Sequence, residues 1–299
     1  MLTAYLILAH HQPHHLARLI NALQDTDSTF FIHIDAKVDE APFRKAVGAQ
    51  DNVAFIKRRP VNWGGFSIVE ATLNILEEAW KSNLSFHRFC LLSGSGYPIK
   101  SKAHIKREFG TAKQFMRVDR SVGASVSNLH TDNVRFYWFM DAWGPISHRL
   151  GGRIARRPYG KIELYHGSAW WALTRGCVDY IFEFLSSHRD YQPFFKHARC
   201  SDEIFFQSIV KSSPFAAEIT HDFEIKLDLD EFFRSNEHGC QYIDWNAQGE
   251  RLPKVLDLLD LHKLLNSDAL FARKFEEQRS RLLLDELERI MAGPIATPR

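Results

Sequence analysis

The chain has 299 residues, 45% of them apolar and 25% charged, the composition of an ordinary globular protein with ample material for a core. A formal net charge of +2 argues against a protein held to nucleic acid by bulk electrostatics, so no nucleic-acid partner is expected. Four cysteines (Cys90, Cys177, Cys200 and Cys240) lack CxxC spacing, and Cys90 and Cys177 lie in apolar patterns, which favours reduced thiols over a disulfide frame or a zinc site.

Residues 2–9 form a continuous apolar run, the pattern of a strand buried on both faces. The run is too short to span a bilayer and lacks a basic leader and a small-residue cleavage site, so a cytoplasmic protein is the expectation. After Pro13, Leu16, Leu19, Ile20 and Leu23 mark an amphipathic helix. Residues 29–35 give a second strand, a helical segment lies around Phe43 and Val47, and residues 53–56 give a third strand. This alternation implies parallel pairing through right-handed crossovers, an α/β architecture whose ligands collect at the carboxyl ends of the strands. Those ends hold His10 and His11, then His33 and Asp35. Asp35 suits either a hydrogen bond to a ribose or base, or a turn in which it satisfies local amides.

The stretch VNWGGFS (61–67) precedes a strong helix over 68–80. Gly64 and Gly65 permit close backbone approach to a ligand and Trp63 can stack on a ring, although a glycine pair before a helix is commonly just a turn. The run is neither a Walker loop nor GxGxxG. Another buried strand, 86–93, ends in Gly94-Ser95-Gly96-Tyr97-Pro98, a sharp course suited to a pocket wall, and 114–118 gives one more. Between 119 and 161 periodicity fades while aromatic and basic residues accumulate, among them Trp138, Trp143, Arg149, Arg153, Arg156, Arg157 and Lys161. That basic cluster suits an anionic acceptor, an anionic membrane surface or a solvated face.

Residues 165–215 are the richest stretch. The apolar run Ala169-Trp170-Trp171-Ala172-Leu173 reads as a short buried strand, and Thr174 caps a helix carrying Val178, Ile181, Phe182 and Leu185. Ser201 suits the N-cap of a further helix, which places Asp202 and Glu203 in its first turn. Such carboxylates commonly do no more than complement the helix dipole, but beside a tryptophan pair one of them suits a general base acting on a sugar. A final amphipathic helix covers about 276–291.

Taken together, VNWGGFSIVEATLNIL, LLSGSGYPIK, HGSAWWALTR, SDEIFFQSIV, YIDW and SDALFARKF resemble the core-2/I-branching family of glycosyltransferases, which also includes peptide O-xylosyltransferases. The resemblance implies an α/β, GT-A-like nucleotide-sugar-binding fold with a central, mainly parallel twisted sheet flanked by helices. It also implies a UDP-sugar co-substrate (UDP-N-acetylglucosamine or UDP-xylose), inversion at the anomeric carbon, a glycan or glycoconjugate acceptor, and no cofactor or divalent metal. Carried over by motif, Glu203 is the catalytic base and Lys274, with Arg273, meets the donor diphosphate. His10, Asp35, Trp63, Gly64 and Gly65 fall on the donor side, and Trp170, Trp171, Asp202 and Tyr97 on the acceptor side. The chain departs from the family at Gly96-Tyr97, where an acid commonly precedes the aromatic residue. It also departs near Cys240, where a second basic residue has only Arg234 and His238 as nearby candidates. Asp228-Leu229-Asp230 keeps a metal site formally open.

One continuous unit is expected over 1–299, with a donor-binding half (1–118), an acceptor and catalytic half (119–275) and a C-terminal helix and tail, while oligomeric state stays open. The polysaccharide-building enzyme so implied has rivals in a carbohydrate-binding module without chemistry and in a glycoside hydrolase. The hydrolase is disfavoured because adjacent Asp202 and Glu203 cannot flank one glycosidic bond. A zinc hydrolase lacks HExxH spacing.

Overall fold

A computed structural model describes residues 1–122, 130–142, 151–224 and 235–292. Trp143, Arg149, Asp228, Asp230 and Arg234 lie outside the described residues.

The first half alternates as expected: β1 (Thr3–Ala9), α1 (Pro13–Leu23), β2 (Ser28–Ile34), α2 (Ala41–Val47), β3 (Val53–Phe55), α3 (Ser67–Trp80) and β4 (Arg88–Ser93). Strands β3, β2, β1 and β4 lie side by side in that order, all parallel. Strand β1 is apolar after Thr3 because it is covered on both faces. Ala4 and Leu6 pack into one core with α3, whereas Tyr5, Ile7 and Ala9 pack into the other with α1 and α2.

After β5 (Gly96–Pro98) and α4 (Lys102–Phe109), β6 (Gln114–Ser121) extends three residues past the expected end of its strand. Beyond α5 (Asp132–Arg135), β7 (Tyr165–Gly167) and β8 (Ala172–Thr174) run antiparallel to it. Strand β8 also pairs antiparallel with β4, which joins these strands to the parallel half. The helices α6 (Arg175–Ser187) and α7 (Tyr191–Phe195), a 3₁₀ helix (Ser201–Glu203) and α8 (Phe205–Lys211) follow, and β9 (Ile219–Asp222) pairs parallel with β6. Among the described residues the sheet has eight strands, mainly parallel, with β7 and β8 reversed. Thr174 caps α6 as expected, its side chain accepting from the Cys177 amide. Ser201 does not cap α8. Its hydroxyl donates to the carbonyls of Phe195 and Ala198, so Asp202 and Glu203 stand on a separate 3₁₀ turn ahead of the α-helix.

A second sheet contains β10 (Glu237–His238), β11 (Gln241–Ile243), β12 (Phe271–Arg273) and β5, with α9 (Leu261–Asn266) before β12. The last helix, α10 (Arg281–Met291), starts later than its amphipathic pattern implies. The segment ahead of it is tied to Gln12, whose side chain donates to the Phe275 carbonyl and accepts from the Glu277 amide. All four cysteines are free thiols. Among the described residues no helix is long and apolar enough to cross a membrane.

Candidate active site

Glu203 reaches its position through local constraints on the turn before it. Cys200 takes a left-handed conformation (φ 48°) and its amide donates to the Gly64 carbonyl at 2.9 Å, while the Glu203 amide closes the turn on the Cys200 carbonyl. Gly64 is itself left-handed (φ 71°), a conformation that favours glycine. A β-carbon on Gly65 would lie 2.3 Å from the Asp141 carboxylate, which accepts from the Ser67 amide and hydroxyl. The glycine pair therefore shapes the turn that carries the carboxylates. Buried Phe205 and Phe206 then anchor α8 in the core.

The Glu203 side chain is 35% exposed and faces His166, with Oε2 3.4 Å from Nε2. The other ring nitrogen of His166 lies 2.9 Å from Asp119 Oδ2, and Asp119 Oδ1 accepts from Arg117 Nε at 2.6 Å. Burial opposes charge on His166, but its bonds to Asp119 and Glu203 outweigh that penalty and raise the imidazole to about 9. The ring is thus an imidazolium at neutral pH, donating to a carboxylate on each side. Burial likewise opposes ionisation of Asp119, yet His166 and Arg117 hold its carboxyl well below the usual range. His130 stacks on His166 with ring centroids 3.7 Å apart, and burial together with that neighbouring charge lowers it to about 4. Asp202 is pushed up to about 7, by burial first and then by the charge of Glu203.

Opposing these carboxylates are the cations at the end of β12. The Arg273 guanidinium lies 4.8 Å from the Trp170 ring centroid, and its buried Nε has no acceptor among the described residues. Burial lowers Arg273 to about 10 against the attraction of Asp202 and Glu203, still far above neutral pH. Next along, Lys274 Nζ sits 3.1 Å from Glu276 Oε1. Its charge reaches His11, which burial, His10 and Lys274 together lower to about 4, and His10, which burial chiefly lowers. The ends of β1 and β12 therefore meet the 3₁₀ turn around one set of charges. Arg199, four residues before Glu203, lies beneath Trp63 and Trp138, at 5.9 and 5.1 Å from their centroids, and Trp63 is 75% exposed.

Several expected site residues do other work. Trp171 is wholly buried against Phe206, so its ring is closed to an acceptor, whereas Trp170 alone carries the tryptophan face at the site. Tyr97 is also wholly buried, its hydroxyl donating to Glu288 Oε1 at 2.5 Å beside His15 and Phe275, which removes it from the acceptor side. Asp35 makes turn contacts, with Oδ1 accepting from the amides of Lys37 and Val61, and Oδ2 lies 3.6 Å from Lys37 Nζ. His33 accepts from the Arg59 amide. His238 is lowered to about 3, by burial and then by Arg117, and so supplies no second cation. Among the described residues no group of three or more His, Cys, Asp or Glu side chains is arranged to hold a metal ion. The sequence reading missed Arg117, Asp119, His130 and His166. An acid at the end of a buried strand and a histidine beside a glycine were the available signals for Asp119 and His166.

The profile of the family described as Core-2/I-branching enzyme matches residues 3–258. Xylosyltransferase oxt of Drosophila melanogaster is 25% identical over 297 residues, covering 93% of this chain and 32% of that protein. A beta-1,3-galactosyl-O-glycosyl-glycoprotein beta-1,6-N-acetylglucosaminyltransferase of Bos taurus is 24% identical over 298 residues, covering 91% of this chain and 65% of the relative. The chain thus spans about a third of one relative's length and about two thirds of the other's. Among solved structures, galactosyltransferase LgtC in complex with donor and acceptor sugar analogs aligns over 100% of this chain and 98% of that one, at 10% identity and a TM-score of 0.40.

Proposed function

Because the chain belongs to the Core-2/I-branching enzyme family, we propose that it is an inverting, metal-independent glycosyltransferase of GT-A-like architecture, moving a sugar from a UDP-sugar to a hydroxyl of a glycan or glycoconjugate. N-acetylglucosamine and xylose are the sugars named for its relatives. The observation that carries this reading is the pairing of a partly exposed carboxylate, Glu203, with Arg273 at the carboxyl end of β12, with Lys274 next along the chain.

Each group has a task in a single displacement. Glu203 accepts the proton of the acceptor hydroxyl as that oxygen bonds to the anomeric carbon. The bond from that carbon to the diphosphate breaks on the opposite face, and the electron pair leaves with the nucleotide. Arg273, held by Trp170 and short of one hydrogen-bond acceptor, meets the charge that grows on the diphosphate, and Lys274 adds a second positive charge. Asp202, raised to about 7 beside Glu203, provides an acceptor-side hydrogen-bonding group that changes protonation near neutral pH.

The test is Glu203→Gln, assayed for transfer and separately for UDP binding by calorimetry. Transfer should fall by about 10²- to 10⁴-fold while the affinity for UDP stays within about twofold. Near-normal turnover would remove Glu203 as the base and this reading with it.

A further inference from the structure

Glu203 is not an isolated carboxylate. Three separate elements bring a line of side chains behind it: Arg117 and Asp119 from β6, His166 from β7, and Glu203 itself from the 3₁₀ turn. The ladder between β6 and β7 slips between Val118 and Arg120, so Asp119 sits at the irregularity, where a bulge re-aims a side chain. Close approach of the strands depends on Gly167, since a β-carbon there would lie 1.9 Å from the Arg117 carbonyl oxygen. His166 is 7% exposed, and among the described residues both ring nitrogens face carboxylates and neither bonds to backbone.

We propose that His166, backed by Asp119 and Arg117, is a positioning residue that fixes one oxygen of Glu203 and aims its carboxylate at the acceptor hydroxyl. This rests on the reading of Glu203 as the base. A histidine serving only the fold would bond to a carbonyl or to the buried carboxylate alone. This one links a buried carboxylate to one that opens to solvent, leaving Glu203 Oε1 for the substrate. Apo contacts of 3.4 Å commonly tighten when substrate binds.

The surroundings leave the assignment of charge to His166. From β6 it meets Asp119 and, through it, Arg117; from the 3₁₀ turn it meets Glu203 and the charge of Asp202. His130 stacks on it, and His238 on β10 lies within reach of Asp119, but both are held neutral at pH 7. Arg120 acts on His130, and Arg273 faces Asp202 and Glu203 from β12.

The experiment compares His166→Asn, His166→Gln and Asp119→Asn with the parent protein in kcat and KM, alongside thermal melting and UDP binding. In folded His166 variants kcat should fall about 10- to 100-fold, less than a whole general base contributes, with the KM for donor within about twofold. Glutamine should recover part of the kcat that asparagine loses, because its amide can still donate to Glu203. Unchanged kcat in folded His166 variants, or equal losses of UDP binding and kcat, would overturn the proposal. Should the His166 variants fail to fold, nitrogen NMR of the ring in the parent protein decides: a charged His166 ring at pH 8 supports the proposal and a neutral one sinks it. Normal turnover by Glu203→Gln would instead remove the base assignment itself, whereas an inactive Glu203→Gln with unchanged kcat in the His166 variants removes only the role of His166.

Discussion

Arg273 lies against the face of Trp170 at 4.8 Å from the ring centroid, while the next residue, Trp171, is sealed in the core. Two adjacent tryptophans thus have opposite fates, and only one can brace the cation assigned to the diphosphate. Trp170→Ala removes a contact of roughly 0.5–2 kcal/mol. The Kd for UDP, measured by calorimetry, should therefore rise about 2- to 30-fold, and Trp170→Phe should retain most of the affinity. An unchanged Kd in Trp170→Ala would disconnect the stack from donor binding.

Lys274→Met removes a charge without removing the aliphatic stem. A charged hydrogen bond contributes about 1.5–3 kcal/mol, so donor affinity should weaken by about 10- to 100-fold. The parent protein should transfer sugar equally well with EDTA present. Activity that appears only on adding manganese would refute the assignment of the leaving-group charge to Arg273 and Lys274.

Histidines shifted in opposite directions each lower stability on a different side of pH 6.5. His166 is raised from 6.5 to about 9, so its contribution is complete below pH 6.5 and is lost as pH climbs toward 9. His11 and His130 are lowered from 6.5 to about 4, so theirs is complete above pH 6.5 and is lost as pH falls toward 4. The alkaline loss from His166 amounts to at most about 3 kcal/mol. Urea midpoints should fall between pH 7 and 9, and His166→Asn should flatten that fall. A midpoint that rises steadily through pH 9 would contradict the imidazolium.

Gly167→Ala tests the strand contact without altering any reactive group. The new methyl would meet the Arg117 carbonyl at 1.9 Å, so β7 must move away from β6 and carry His166 from Asp119. A loss of about 1–3 kcal/mol in chemical denaturation is expected, with reduced kcat. Gly160→Ala, where nothing lies within 4 Å of the added atom, serves as the control and should match the parent protein.

Local pattern determined much of this protein. The uninterrupted apolar run at residues 3–9, the helical spacing of Leu16, Leu19, Ile20 and Leu23, and the Thr174 cap are readable because burial imposes its period on neighbouring residues. The ordered motifs likewise led to the family, and with it to Glu203 and Lys274 as candidates. Tertiary packing decided the rest. That Asp35 receives the Val61 amide, and that Tyr97 and Trp171 fill a core rather than line a pocket, depends on segments distant in the chain. The line from Arg117 through Asp119 and His166 to Glu203 spans separations of 47 and 37 residues at its two histidine contacts. No local period encodes such contacts, because they arise only when β6, β7 and the 3₁₀ turn pack together and bury the charges that then set one another's protonation.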